Sequence, residues 1–247
     1  LAVRHFHRTI DTGWRRTSYS ALIRGADEAA VGTHSEPETH TRDDESEEIT
    51  VTAAAPVTGA ELRSPMADLP GGKTFGSLVH GVLETTDPFA ADLAAELAAQ
   101  VRAHEQWWPV GVDADELAAA LVPMHDTPLG PLADGVTLRQ IGVSDRLREL
   151  DFEIPLAGGD LPGAASQARV ADVGALLREH LPGEDPFAVY ADRLLSDALG
   201  GQTLRGYLSG SLDVVLRLPD QRYLVVDYKT NQLGETAADY SFARMTE

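Results

Sequence analysis

Cysteine is absent from this chain. That excludes disulfide frameworks, thiolate zinc sites and cysteine nucleophiles together, and it fits a reducing compartment such as the cytoplasm. Positive charge is scarce as well: 20 Lys and Arg stand against 39 Asp and Glu, a formal net of −19. A protein that grips nucleic acid unaided needs clustered cations to neutralise phosphates, so any DNA-directed reading has to account for that sign. No apolar run reaches the roughly 18 residues of a membrane span. The opening LAVRHFHRTIDTGW has neither an initiator Met nor a signal-peptide core, so a piece of a longer polypeptide is expected. No internal repeat is present.

What remains is a 247-residue chain with 43% hydrophobic residues, enough for one substantial core with extensions. Helical stretches rich in Ala and Leu alternate with Val- and Leu-rich strands, which points to a mixed α/β class. Residues 1–24 read as an entry segment in which Ser18 or Ser20 caps a short helix. Residues 25–64 read as a flexible acidic linker: seven acids fall between Glu36 and Glu48, and no aromatic residue lies between Gly25 and Gly59. Such a segment cannot bury enough apolar surface to order itself. The alternative for this block is an acidic tail that binds a basic partner.

From residue 65 onward the patterning changes. In KTFGSLVHGVLE, residues Phe75, Leu78, Val79, Val82 and Leu83 recur at helical spacing. Two more amphipathic helices follow in ADLAAELAAQVRAHEQWW and DADELAAALVPMH. LRELDFEIPL alternates, with Leu150, Phe152, Ile154 and Leu156 on one face and Glu149, Asp151 and Glu153 on the other. A Gly- and Ala-rich loop and a helix around Pro186–Ala198 lead to RGYLSGSLDVVLRL and RYLVVDYK, two strands joined at Pro219-Asp220-Gln221. GGKT at 71–74 resembles the end of a phosphate-binding loop. The required upstream glycine is Ala67, and no strand precedes it, so nucleotide binding is rejected.

The hairpin carries the chemistry. Tyr223, Val225, Asp227 and Lys229 share one strand face, and Asp213 stands in the neighbouring strand. Folding the hairpin can bring Asp213 and Asp227 together, and two close carboxylates repel unless a proton or a cation lies between them. With no cysteine, hard oxygen ligands suit Mg²⁺ or Mn²⁺. Lys229 then lies where it can orient a water or stabilise charge developing on a phosphorus centre. The plainer reading is an exposed Asp227–Lys229 ion pair worth at most about 1 kcal/mol. The apolar run before Asp227 and the second acid in the adjoining strand favour the reactive reading.

GSLDVVLRLPDQRYLVVDYKTNQLGE resembles the active-site hairpin of the RecB-type nucleases of the PD-(D/E)xK superfamily, which carry an acid in a G-x-[IL]-D strand and a DYK-[ST]-N strand end. TSYSAL is similar to the entry into that domain, GKTFGSLVHGVLE to its histidine-bearing helix, and LDFEIPL to its acidic strand. The resemblance implies a restriction-endonuclease-like core, a central mixed β-sheet flanked by helices, over residues 65–247. It implies a Mg²⁺-dependent deoxyribonuclease of exonuclease type, with Mn²⁺ as an alternative ion. His80, Asp213, Asp227 and the Tyr228 carbonyl would hold the metal, and Lys229, Asp227 and Asp213 would serve catalysis. Glu84, one turn after His80, would assist. Of Glu149, Asp151 and Glu153, at least two are expected to be solvated, leaving at most one to approach the metal. Implied partners are single strands from unwound duplex DNA, a helicase part of the same chain, and RecC- and RecD-like subunits in double-strand break resection. Such nucleases continue into a helix with a Gln-x-x-x-Tyr signature, whereas this chain stops at SFARMTE, so a domain truncated at its C-terminus is expected. The competing expectation is a non-catalytic nuclease-like module that docks partner subunits.

Overall fold

The computed structural model describes residues 14–18, 21, 61–157, 159, 168–183, 185, 188–241 and 244. The chain forms two compact units, one from residues 1–40 and 151–211, the other from 41–150 and 212–247. Its class is mixed α/β, with five α-helices and a four-stranded sheet among the described residues. None of these helices is long and apolar enough to cross a membrane. The acidic linker expected over 25–64 lies outside the described residues up to residue 60. Beyond that, Arg63 bridges Thr236, with Ser64 N–H donating to Glu235 O at 2.8 Å and Ala237 N–H to Leu62 O at 2.8 Å.

In the unit of 41–150 and 212–247, three helices build the main core: α1 (Lys73–Thr85), α2 (Leu93–His104) and α3 (Ala114–Asp126). The helical spacing read from KTFGSLVHGVLE is realised, since Phe75, Leu78, Val79, Val82 and Leu83 are all buried. Leu78, Val82, Leu97, Val101, Leu117 and Leu121 are fully excluded from water, and each such side chain stabilises the fold by about 1.5–3 kcal/mol. Asp side chains start two of the helices. Asp92 accepts from Ala95 N–H at 3.0 Å, and Asp113 accepts from Asp115 and Glu116 N–H at 2.9 Å, satisfying donors that a helix start otherwise leaves orphaned.

The strands are β1 (Arg15–Thr17), β2 (Arg146–Pro155), β3 (Gly206–Arg217) and β4 (Tyr223–Val226), with β3 between β1 and β2 and also paired to β4. The expected hairpin is β3–β4, antiparallel with Val214 opposite Val226 and Leu216 opposite Leu224. Its three-residue loop closes through Gln221 N–H to Leu218 O at 2.9 Å and Leu218 N–H to Arg222 O at 2.8 Å. Gln221 adopts a positive φ of 69°, as a type I turn followed by a left-handed residue requires. Val214, Leu216 and Leu218 bury with Ala133, Leu138 and Ile141 in a second core cluster.

Two elements of the other unit differ from expectation. The stretch assigned to a Gly- and Ala-rich loop contains α4 (Val170–His180), which packs on α5 (Ala188–Leu195). Gly174, which weakens the helical signal, permits that packing: a Cβ there would lie 3.0 Å from Ala191 O and 2.9 Å from Leu195 Cγ. The entry segment holds β1, parallel to β3 with Arg15 opposite Gly206. Ser18 then accepts from Ala21 N–H at 3.2 Å; the helix expected there, and Ser20, lie outside the described residues apart from Ala21.

Gly206 has φ 104°, and a Cβ on it would fall 2.0 Å from Arg15 O. Gly206→Ala is expected to release β1 and destabilise the fold by about 1–3 kcal/mol. A thermal melt and faster hydrogen exchange of the β1 amides would register it, and an unchanged melt would refute it. His125 is 1% exposed and donates Nδ1–H to Leu121 O at 3.1 Å. Burial holds its pKa below the usual range, with Arg146 and Arg139 adding to this and Leu121 O and Asp126 opposing it. Below a pH of about 6.5 the unfolded chain binds a proton that the native one refuses. Stability is therefore full above that pH and falls as the solution is acidified. Urea midpoints between pH 7 and 5 should fall less in His125→Gln than in the wild type.

Candidate metal centre

Helix α1 places His80 at its surface toward β3, because the apolar residues at Leu78, Val79, Val82 and Leu83 fix which face turns into the core. Its Nδ1 lies 3.4 Å from Asp213 Oδ1, with 14% and 11% of the two side chains exposed. The other Asp213 oxygen accepts the main-chain N–H of Tyr228 at 2.5 Å. The Tyr228 ring stands edge-on to the His80 imidazole, at 6.0 Å and 89°. Asp213 is thus held from two sides, by an imidazole and by an amide.

Glu149 completes the group. One ligand atom each from His80, Glu149 and Asp213 lies within 4.8 Å of the others, and all three side chains are half-buried. The alternation expected along β2 is interrupted at Glu149, which has φ 46°, and a local break of this kind re-aims a side chain. Asp151 and Glu153 are exposed, and Glu153 pairs with Arg16 at 2.8 Å, so two of the three strand acids face solvent as expected. Alternation identifies the acidic face but cannot single out Glu149. Its backbone turn carries no signal in a string that reads Glu-Leu-Asp.

The surroundings keep Asp213 ionised. Burial pushes the Asp213 carboxyl up, but the His80 contact, the Tyr228 amide and the charges of His80 and Lys229 outweigh it, so its pKa falls below the ordinary value. Burial drives the Tyr228 phenol up to about 12, with Asp213 and Glu149 adding to this and Arg146 opposing it. Two carboxylates and one imidazole at this spacing form a hard, oxygen-rich donor set that fits Mg²⁺ or Mn²⁺.

Asp227 and Lys229 are placed differently. Their side chains, 57% and 43% exposed, form an ion pair at 2.9 Å. Among the described residues Asp227 is outside the three-residue group. It keeps the parity of the exposed Tyr223 and Val225 on β4 and of Lys229 beyond it. The β3–β4 register, extended one step past Val214 and Val226, would set Asp213 opposite Asp227. Beyond β4, though, the amide that reaches Asp213 is that of Tyr228. Glu84 lies one turn after His80 on α1 and is half-buried. Lys73 and Thr74 of GGKT open α1, and residues 64–72 contain no strand. The centre yields a direct prediction. In His80→Ala, Asp213 loses the contact and charge that lower its carboxyl pKa, so the pKa rises, as NMR titration of the carboxyl carbon would show; a pKa left in place would refute it.

No family model matches the chain. Its sequence is similar to that of RecBCD enzyme subunit RecB of Mycobacterium tuberculosis (strain CDC 1551 / Oshkosh), 67% identical over 249 residues, which cover 99% of this chain and 22% of that subunit. RecB of Mycolicibacterium smegmatis is 62% identical over 252 residues, covering 100% of this chain and 23% of that subunit. RecB of Haemophilus influenzae is 25% identical over 244 residues, covering 96% and 18%. The chain thus spans about a fifth of the length of the curated relatives it matches. With such identity sustained along nearly all of its residues, the chain belongs to the RecB family.

Proposed function

We propose that this part of RecB is a metal-dependent deoxyribonuclease domain that hydrolyses phosphodiester bonds in DNA single strands. The observation that carries the reading is the convergence of His80, Glu149 and Asp213. Mg²⁺, or Mn²⁺ in its place, would be held by these three side chains, with the Tyr228 carbonyl and Asp227 as further ligands. When bound, the ion lowers the pKa of a coordinated water and polarises the phosphoryl oxygen. Tyr228 N–H keeps one Asp213 oxygen occupied, which fixes the rotation of the carboxylate. Lys229, at the strand end, supplies a positive charge to orient the attacking water and to meet the charge that develops on the phosphoryl group.

The net charge of −19 fits a domain to which DNA is delivered. In this reading the helicase part of the same subunit and its RecC- and RecD-like partners, in the bacterial cytoplasm, unwind duplex ends and feed single strands to the site for double-strand break resection. Much of the excess acid lies between Glu36 and Glu48, in the segment assigned to a linker.

Nuclease activity on a labelled single strand in Mg²⁺, measured for the chain and for the full subunit with its partners, tests the reading. Asp213→Ala and Lys229→Ala should each lose activity by about 10²–10³-fold while keeping the wild-type circular dichroism. Wild-type rates in both variants would sink the assignment of these residues, and a wild type with no activity alone or with its partners would leave the docking-module reading in its place.

A further inference from the structure

Arg146 is buried with the charge of Asp87 acting on it but no acid in contact. It is 8% exposed, and its guanidinium donates from Nε to Ile141 O at 2.9 Å and from Nη2 to Leu138 O. Among the described residues no carboxylate forms an ion pair with it. Removing an unpaired cation from water costs roughly several kcal/mol, and an apolar side chain of similar volume would fill the space at less cost. The position therefore uses the guanidinium fork for something that packing alone does not provide.

The two carbonyls show what is held. Leu138 and Ile141 belong to the segment of 3-10 turns (Leu138–Gln140 and Val143–Asp145) that joins α3 to β2. Their side chains bury with Val214 and Leu216 of β3, the first of them next to Asp213, and Tyr228 packs on the same cluster. Arg146 is itself the first residue of β2, three positions before Glu149. One guanidinium thus ties the turn that packs beside the Asp213 strand to the start of the strand that carries Glu149. Five donors in a rigid fork suit this task, which a lysine ammonium performs poorly.

We propose that Arg146 is a positioning residue for the metal centre: its two hydrogen bonds to main-chain carbonyls set the separation of the Glu149 and Asp213 carboxylates. It touches neither cation nor substrate. The inference rests on the metal-centre reading above and goes beyond it by assigning the spacing of the ligands to a residue outside the cluster.

Mn²⁺ affinity by titration calorimetry on the full chain, for wild type, Arg146→Met, Arg146→Lys, Glu149→Gln and the Arg146→Met/Glu149→Gln pair, tests it. Arg146→Met should weaken binding about 10–100-fold, the range of residues that orient metal ligands. Because Arg146 acts through Glu149, the double variant should bind about as weakly as Glu149→Gln alone. Arg146→Lys keeps the charge but loses the fork and should also bind more weakly, which carries the test if the Met variant does not fold. A role in stability alone would lower the melting temperature without this coupling. A wild type that binds Mn²⁺ together with folded variants of equal affinity, or losses that simply add, overturn the inference alone. A wild type that binds none overturns the metal-centre reading with it.

Discussion

Asp213 is a carboxylate that burial works to neutralise and its neighbours keep charged. A half-buried acid on an apolar strand is unfavourable by itself. Here the cost is offset on one oxygen by His80 from α1 and on the other by the amide of Tyr228 just past β4. Those two contacts require two things at once: a helix whose core face turns His80 toward β3 and a hairpin whose end brings Tyr228 beside Asp213; Glu149 joins them where β2 breaks its alternation.

The parts of this arrangement that follow local periodicity were legible in the sequence. Phe75, Leu78, Val79, Val82 and Leu83 at helical spacing define α1 and, with it, the orientation of His80. The apolar runs on either side of Pro219-Asp220-Gln221 define the hairpin and the exposed face that Asp227 and Lys229 share. What was not legible depends on partners distant in sequence or on single backbone angles. β1 reads Arg-Arg-Thr and has no strand signal of its own; it is a strand because β3 offers it a ladder next to Gly206. α4 is interrupted by Gly174, whose missing side chain is what lets the helix meet α5. Glu149 looked like any of three acids on one face until its φ of 46° set it apart.

The two acid–base contacts at the hairpin end differ in kind. The Asp213 contacts are half-buried and little affected by solvent. The Asp227–Lys229 pair stands largely in water, whose high dielectric leaves such an exposed pair worth at most about 1 kcal/mol. The first is a fixed part of the fold. The second is a pair of charges that an incoming phosphate can compete for, which suits groups proposed to act only once substrate is present.

The bend at Glu149 has a consequence for protein engineering. A bulky L-residue held at positive φ forgoes roughly 1–2 kcal/mol that Gly, or in part Asn, would recover. A search for stabilising substitutions would therefore rank this position early, and the gain in melting temperature would come from erasing a proposed ligand. Thermostability is thus a misleading guide at this one position of β2: the hardier chain would be the one that had lost a carboxylate of the proposed metal centre.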